Sequence, residues 1–299
     1  MSRAAALRLG AFAGALALAF GAAFAIGSAV DPVAAADPAP AAAHGNEEMG
    51  GMAEEAGHDA GGQLPGLAVS DAGYTLSPAA TSFRSGAKTQ LRFTIQGPDG
   101  KPVTTYTKTH EKDLHLIVVR RDLSGFHHVH PTMDATGAWS IPFTFTTGGT
   151  WRLYADFQPA GLDKKLTLGT DVSVSGSFTP VRLPKPAGTD SFNGYDVTLE
   201  GNPVAGHESE LTFRVSRGGK PVMDLQPYLG AFGHLVSLRS GDLAYLHNHP
   251  AQHAEPGMKG GPSISFGTTF PTAGTYRLYL DFQHAGAVHT AEFTVRVGS

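Results

Sequence analysis

The 299-residue chain contains no cysteine. This absence excludes disulfide bonds, thiolate nucleophiles, iron–sulfur clusters and cysteine-based zinc or blue-copper sites. The chain also lacks a large excess of positive or negative charge, because the formal net charge is -4 and no basic block occurs. The sequence therefore has no electrostatic footprint for nucleic acid or for an anionic membrane surface. Any metal ion would have to be held by histidine, methionine, carboxylate or backbone groups.

The N-terminal segment has the composition of an export signal. Arg3 and Arg8 precede an uncharged apolar run from Leu9 to Val30, and small residues follow it. The 22-residue run is also long enough to span a hydrocarbon layer of about 30 Å, so an uncleaved anchor is the alternative. We expect residues 1–30 to be a signal peptide or an N-terminal membrane anchor. We expect the remainder to be extracytoplasmic, that is, secreted, periplasmic or on the cell surface.

Residues 31–66 consist mostly of Ala, Pro, Gly and Glu, with almost no bulky apolar side chain. Such a segment cannot bury enough surface to order itself, so we predict a disordered linker. Four side chains in it could capture copper weakly, namely His44, Met49, Met52 and His58. The interpretation that we favour is a solvated linker.

From Leu67 onward the sequence consists of short alternating runs rich in Thr, Val, Phe and Tyr. Gly, Pro, Asp and Asn interrupt these runs about every 8–12 residues, a spacing typical of an all-β sandwich or barrel. An internal repeat divides the region in two, because HLIVVRRDLSGFHHVHP matches HLVSLRSGDLAYLHNHP and GGTWRLYADFQPAG matches AGTYRLYLDFQHAG. We predict two tandem β-sandwich domains, Ig-like or cupredoxin-like, at residues 67–178 and 190–299.

Period-two alternation in the second pair of matched stretches predicts which side chains form the two cores. The predicted core side chains are Trp151, Leu153, Ala155 and Phe157 in the first domain, and Tyr276, Leu278, Leu280 and Phe282 in the second.

Three histidines recur in both copies, the second and third lying 13 and 15 residues after the first. The two sets are His115, His128 and His130 in the first copy, and His234, His247 and His249 in the second. Residues two apart on a strand project to one face, so the last two histidines of each set form a chelating pair. A polar turn predicts an antiparallel hairpin whose register places His115 opposite His130. In the second copy the same face would carry Val236, Leu238 and Tyr245.

Three imidazoles converging on one face suit Cu(II) or Zn(II), which accept neutral imidazole nitrogen. The sequence therefore predicts one metal site per domain. Candidate accessory groups are Asp156, Asp281, His127, His253 and Met258. The two aspartates could also be solvated strand residues or outer partners that orient an imidazole. A structural or pH-sensing histidine cluster is the alternative, because free imidazole titrates near pH 6.5.

The repeated His-Leu, Asp-Leu and His-x-His-Pro elements resemble those of exported bacterial Ig-like domains. They are loosely similar to periplasmic copper-handling domains of the copper-resistance C and YtkA-like types. The resemblance covers residues 67–299, and it implies that the six repeated histidines are metal ligands and that the ion is copper, with zinc as the alternative. The chain departs from copper-resistance C proteins, because neither domain has a Met-rich ligand set or a free N-terminal amine.

Motifs of the common enzyme classes are absent from the sequence, which has no Gly-x-Ser-x-Gly elbow, Walker loop, dinucleotide fingerprint or His-Glu-x-x-His. We expect a non-enzymatic protein, with a copper-dependent oxidase as the alternative. The predicted function is exported metal binding, for sequestration or for delivery to an envelope transporter or acceptor protein. The alternative function is a cell-surface tandem Ig-like interaction module with no physiological metal. No nucleic acid partner is expected, and contact with a membrane is expected only through the N-terminal segment.

Overall fold

The computed structural model describes residues 64–246 and 248–299. These residues form twenty-one β-strands, and none of them lies in a helix that is long and apolar enough to cross a membrane. The predicted signal or anchor, and residues 31–63 of the predicted linker, lie outside the described residues. Residues 64–66, which the sequence places in the linker, belong to the folded part. The Gly66 N–H donates to Thr167 O at 2.8 Å, and Gly66 O accepts from the Arg152 guanidinium.

The first domain contains eleven strands. They are β1 (Ser70–Asp71), β2 (Tyr74–Pro78), β3 (Ser82–Arg84), β4 (Thr89–Gln96), β5 (Tyr106–Thr107), β6 (Leu114–Arg120), β7 (His127–Val129), β8 (Thr132–Met133), β9 (Ala138–Phe143), β10 (Gly149–Pro159) and β11 (Leu166–Ser175). One sheet has the order β1-β2-β4-β9-β8, and the other has the order β3-β11-β10-β6-β7, with β5 paired to β10.

The second domain contains ten strands that repeat this plan. They are β12 (Thr189–Phe192), β13 (Tyr195–Glu200), β14 (Glu208–Arg217), β15 (Lys220–Pro221), β16 (Gly233–Arg239), β17 (Tyr245–Leu246), β18 (His249–Pro250), β19 (Ser263–Thr269), β20 (Gly274–His284) and β21 (Ala287–Val297). Its sheets have the orders β12-β13-β14-β19-β18, with β15 paired to β14, and β17-β16-β20-β21.

The strand orders identify both sandwiches as Ig-like. In the first domain, β2-β4-β9-β8 and β11-β10-β6-β7 correspond to strands A-B-E-D and G-F-C-C′ of an Ig sandwich. A tyrosine corner near the start of strand F supports the assignment, because Tyr276 O–H donates to Thr272 O at 2.8 Å. In the first domain, Trp151 Nε1–H makes the equivalent bond to Thr147 O at 3.1 Å. The predicted all-β fold with two tandem domains is confirmed.

The predicted core faces are also confirmed. All eight side chains named from the alternation of β10 and β20 are no more than 1% exposed. Each packs in the hydrophobic core between the two sheets of its own domain. Trp151 and Phe157 belong to the first core, and Tyr276 and Phe282 belong to the second.

A third buried cluster lies between the domains. It is formed by the opposite faces of β6, β10, β16 and β20, and we call it the interdomain cluster. Its buried members are Ile117, Val119, Leu123, Tyr154, Val236, Leu238, Leu243, Tyr245 and Tyr279. Because β6 is covered by its own core on one side and by the second domain on the other, all seven of its residues are buried.

Reciprocal hydrogen bonds join the two domains across the interdomain cluster. Tyr154 O–H donates to Leu243 O at 2.7 Å, and its counterpart Tyr279 donates to Leu123 O at 2.6 Å. The two accepting leucines lie in equivalent turns, with φ of 65° at Leu123 and 66° at Leu243. Matched patches that contact each other reciprocally are typical of a two-fold interface. The repeat in the sequence therefore corresponds to an approximate two-fold relation in the fold.

Candidate metal centre

The hairpin that carries the first histidine set has the predicted register. β6 pairs with β7 so that Leu116 is opposite Val129 and Ile117 is opposite His128, which continues to His115 opposite His130. Ile117 belongs to the interdomain cluster. His115 lies two residues before Ile117 and therefore projects to the same face of β6, which faces the second domain and not the solvent.

The three histidines of the first set meet at one point. His115 Nδ1 lies 3.0 Å from His128 Nε2 and 3.1 Å from His130 Nε2. The three pairs of ring centroids are 4.9–5.2 Å apart. Nitrogens bound at about 2.0–2.1 Å to a tetrahedral ion lie roughly 3.3 Å apart, only a few tenths of an ångström more than these two distances, and all three donor nitrogens lie within 4.8 Å of one another. Among the described residues, this is the group whose donor atoms are placed to hold a metal ion.

Hydrogen bonds on the far side of two rings fix which nitrogen carries the proton. His115 Nε2–H donates to Thr109 O at 2.9 Å, so its Nδ1 presents a lone pair. His128 Nδ1–H donates to Asp281 Oδ2 at 2.9 Å, so the Nε2 of the neutral ring also presents a lone pair. Two lone pairs thus face each other at 3.0 Å. A cation between or beside them, either a metal ion or a proton, would satisfy both lone pairs, whereas His130 Nε2, 3.1 Å from His115 Nδ1, could satisfy only the lone pair of His115.

The environment keeps three imidazoles of this region, those of His115, His130 and His234, neutral. Burial, and then the neighbouring His128 imidazole, lower the pKa of His115 to about 2. The same two causes lower the pKa of His130 to about 3 and that of His234 to about 4. Neutral imidazole is the form that binds metal ions. These pKa values also lie well below the range in which a physiological pH sensor titrates.

The second histidine set is distributed differently. His234 Nε2–H donates to Tyr228 O at 2.8 Å, in the same way that His115 donates to Thr109 O. The His234 ring lies 6.2 Å from the His128 ring and 6.4 Å from the His115 ring, so it borders the first set. His249 is exposed, and His247 lies outside the described residues. The described residues therefore place one cluster at the interface, where the sequence predicted one site in each domain.

A small cavity lies beside the cluster, between the two domains. It has a volume of about 30 Å³, enough for an occupant of the size of a water molecule. His115, His128, His234 and Asp156 line it, together with His110, whose ring is 5.1 Å from that of His234. His110 could not be recognised from the repeat, because its counterpart in the second copy is a leucine and only histidines present in both copies stand out.

A family described as a domain of unknown function, DUF8832, matches residues 68–175 and again residues 190–299. The chain belongs to the DUF8832 family. Its two DUF8832 domains are the two Ig-like sandwiches described above. A search of curated proteins found no match.

Three solved structures show a low level of similarity to the DUF8832 chain. The Escherichia coli adhesin FdeC is 16% identical over 78% of this chain and 66% of its own, with a TM-score of 0.25. The Escherichia coli alpha-2-macroglobulin activated by porcine elastase is 13% identical over 75% and 20%, with a TM-score of 0.26. The Yersinia pseudotuberculosis adhesin InvE is 13% identical over 74% and 58%, with a TM-score of 0.22. The chain spans less than two thirds of each, and TM-scores this low carry no argument about function.

The accessory candidates occupy different places in the two DUF8832 domains. Asp281 contacts the cluster through His128, as an outer partner, and Asp156 lines the cavity and accepts from Thr167 Oγ1 at 3.0 Å. His127 points to the opposite side of β7, where its ring lies 5.1 Å from Phe143. The remaining two candidates, His253 and Met258, are exposed in the loop before β19.

Proposed function

We propose that this protein binds a transition metal ion at the interface of its two Ig-like domains. The ligands are His115 Nδ1, His128 Nε2 and His130 Nε2, which all belong to the first domain. Copper is the expected ion and zinc is the alternative, because three neutral imidazoles without thiolate suit both Cu(II) and Zn(II).

The observation that carries the proposal is the pair of ring nitrogens, on His115 and His128, that face each other at 3.0 Å with their protons held elsewhere. A metal ion satisfies both lone pairs and also the nitrogen of His130. A proton shared between His115 and His128, balanced by the carboxylate of Asp281, would satisfy only that one contact and would leave the nitrogen of His130 without a cation. Burial lowers the pKa of His115 to about 2, so this imidazole offers an unprotonated nitrogen to a cation.

The proposed role is sequestration or delivery in the extracytoplasmic space, with an envelope transporter or acceptor protein as the partner. This follows the expected export signal and the absence of any catalytic motif from the sequence. His130 is partly exposed, so an acceptor could reach the ion from its side of the cluster. We propose a binding protein and not an oxidase.

The test is metal retention by the full chain after dialysis, measured by elemental analysis and by competition with a chromogenic chelator for Cu(II) and Zn(II). The wild-type protein is expected to hold one ion that the His115→Ala, His128→Ala, His130→Ala triple variant does not hold. His44, Met49, Met52 and His58 are present in both proteins, so the difference reports the cluster alone. His127→Ala is the matched control, because this histidine is adjacent in sequence and points to the opposite face.

The second candidate function is a surface interaction module built on the tandem Ig-like fold, with histidines that are purely structural. Equal metal content in the wild-type and triple-variant proteins, for both ions at micromolar concentration, would support this function and contradict the metal site. Metal content that falls in the triple variant and is retained in His127→Ala would support the metal site.

A further inference from the structure

We propose that Asp281 of the second domain is a positioning residue for the ligand His128 of the first domain, so that the metal centre requires both domains. This inference rests on the proposed function. It concerns a residue that binds no ion itself and acts on the metal through one hydrogen bond.

The contact between Asp281 and His128 is short, buried and held from both sides. His128 Nδ1 lies 2.9 Å from Asp281 Oδ2, and the two side chains are 4% and 5% exposed. The other carboxylate oxygen, Oδ1, accepts from Thr290 Oγ1 at 2.6 Å. Both oxygens therefore have a partner, and the carboxylate cannot turn away from His128 without breaking a second hydrogen bond.

The strand that carries Asp281 is itself rigid. β20 lies between β16 and β21, and Asp281 is paired with His234 on one side and with Thr290 on the other. Two residues earlier on the same face, Tyr279 donates to Leu123 O at 2.6 Å, which ties β20 to the first domain. The distance from Asp281 to His128 is therefore set by the docking of the domains and not by a flexible side chain.

The chemical consequence is the choice of tautomer. A carboxylate at Nδ1 holds the proton there and leaves the Nε2 lone pair directed at His115 and His130. Without this acceptor, neutral His128 could carry its proton on Nε2 and donate it to His115 Nδ1, 3.0 Å away. The ring would then satisfy His115 by itself and would block the metal position. Asp281 thus favours the metal-binding form of His128 over the closed, metal-free form.

The first readout does not depend on metal binding. In the metal-free full chain, with the pH raised until the His128 ring is neutral, its ring nitrogen resonances are expected to report the Nδ1–H tautomer in the wild-type protein and a mixture or the Nε2–H tautomer in Asp281→Ala. Asp156→Ala is the matched control, because Asp156 is the counterpart of Asp281, is equally buried and accepts from the equivalent threonine. A tautomer shift in Asp156→Ala as large as that in Asp281→Ala, or no shift in Asp281→Ala, would overturn the proposal.

The second readout is Zn(II) affinity, measured by competition with a chelator. Loss of an outer partner of a ligating histidine costs about 10–100-fold in metal affinity, so this loss is expected for Asp281→Ala, with partial recovery in Asp281→Glu. The same Asp281→Ala change is expected to have no further effect in a His128→Ala background, because it acts through that ring. An undiminished effect in that background would overturn the positioning role.

The two proposals fail in different ways. If the wild-type chain binds no metal but the His128 tautomer shifts in Asp281→Ala as predicted, the proposed function is contradicted and the contact between Asp281 and His128 is established. A chain that binds metal through the three histidines with unchanged affinity in Asp281→Ala supports the proposed function and contradicts the positioning role.

Discussion

The two histidine sets have the same spacing along the chain but different destinations in the fold. In the first domain, His130 follows β7 directly and turns inward to His115. In the second domain, its counterpart His249 belongs to β18, where it pairs with Gly267 of β19 in the opposite sheet and is exposed. The first residues of the two sets, His115 and His234, make the same hydrogen bond to a carbonyl.

The difference begins where the hairpin ends. In the first domain, pairing with strand E starts at Thr132, after the His-x-His-Pro motif. In the second domain it starts at His249, within the motif, and a longer loop separates Pro250 from Ser263 at the start of β19. Spacing within a hairpin fixes which residues face each other, but it does not determine where the chain leaves the hairpin. The first histidine of the repeated motif therefore makes the same hydrogen bond in both domains, whereas the last histidine reaches the cluster only in the first domain.

The largest effect is expected when equivalent ligands of the two sets are removed. His130→Ala deletes a direct ligand and should lower Zn(II) and Cu(II) affinity by at least the 10–100-fold that loss of an outer partner costs. His249→Ala should change the affinity less than about threefold, because this exposed side chain is not one of the three converging donors. Chelator competition on the wild-type protein and the two single variants measures the loss of metal affinity in each variant. Equal losses in the two variants would contradict the asymmetry of the two sets.

The fold and the hairpin register could be predicted from the sequence because both depend on local period-two patterns. Alternation in β10 and β20 identified the core residues, and the predicted hairpin register placed His115 opposite His130. Docking of the domains could not be predicted, because it depends on which of two apolar faces of β6 meets the other domain. Ile117 and Val118 are equally apolar, and only the fold assigns Ile117 to the interdomain cluster and Val118 to the core. Asp281 was predicted as a possible outer partner of an imidazole, but that this imidazole is His128 of the other domain could not be predicted for the same reason.

His115 and His234 can be compared through the pH dependence of the free energy of unfolding. The unfolded chain binds a proton at each histidine below about pH 6.5, whereas folded His115 does so only at about pH 2 and folded His234 only at about pH 4. The unfolded state therefore binds more protons in that window, and the free energy of unfolding falls as the pH falls.

Each of these two buried groups contributes a slope of about 1.4 kcal/mol per pH unit in the metal-free protein. Urea unfolding of metal-free wild type, His115→Gln and His234→Gln between pH 6.5 and 4 should show a shallower decline in both variants. Below pH 4, His234→Gln should become parallel to wild type, while His115→Gln remains shallower. A slope unchanged by His115→Gln would show that burial does not hold this imidazole neutral.

The smallest effect is expected at the interdomain hydrogen bonds, where the two domains are equivalent. Tyr154→Phe and Tyr279→Phe each leave one buried leucine carbonyl, at Leu243 and Leu123, without its phenol donor. A buried unsatisfied carbonyl costs about 1–3 kcal/mol, and the retained rings keep their packing, so both variants should lose stability toward the lower end of that range. Urea unfolding of the metal-free proteins should give the same loss for both within about 0.5 kcal/mol. A loss confined to one tyrosine would mean that the interface is as asymmetric as the histidine sets, and that the approximate two-fold relation does not extend to its energetics.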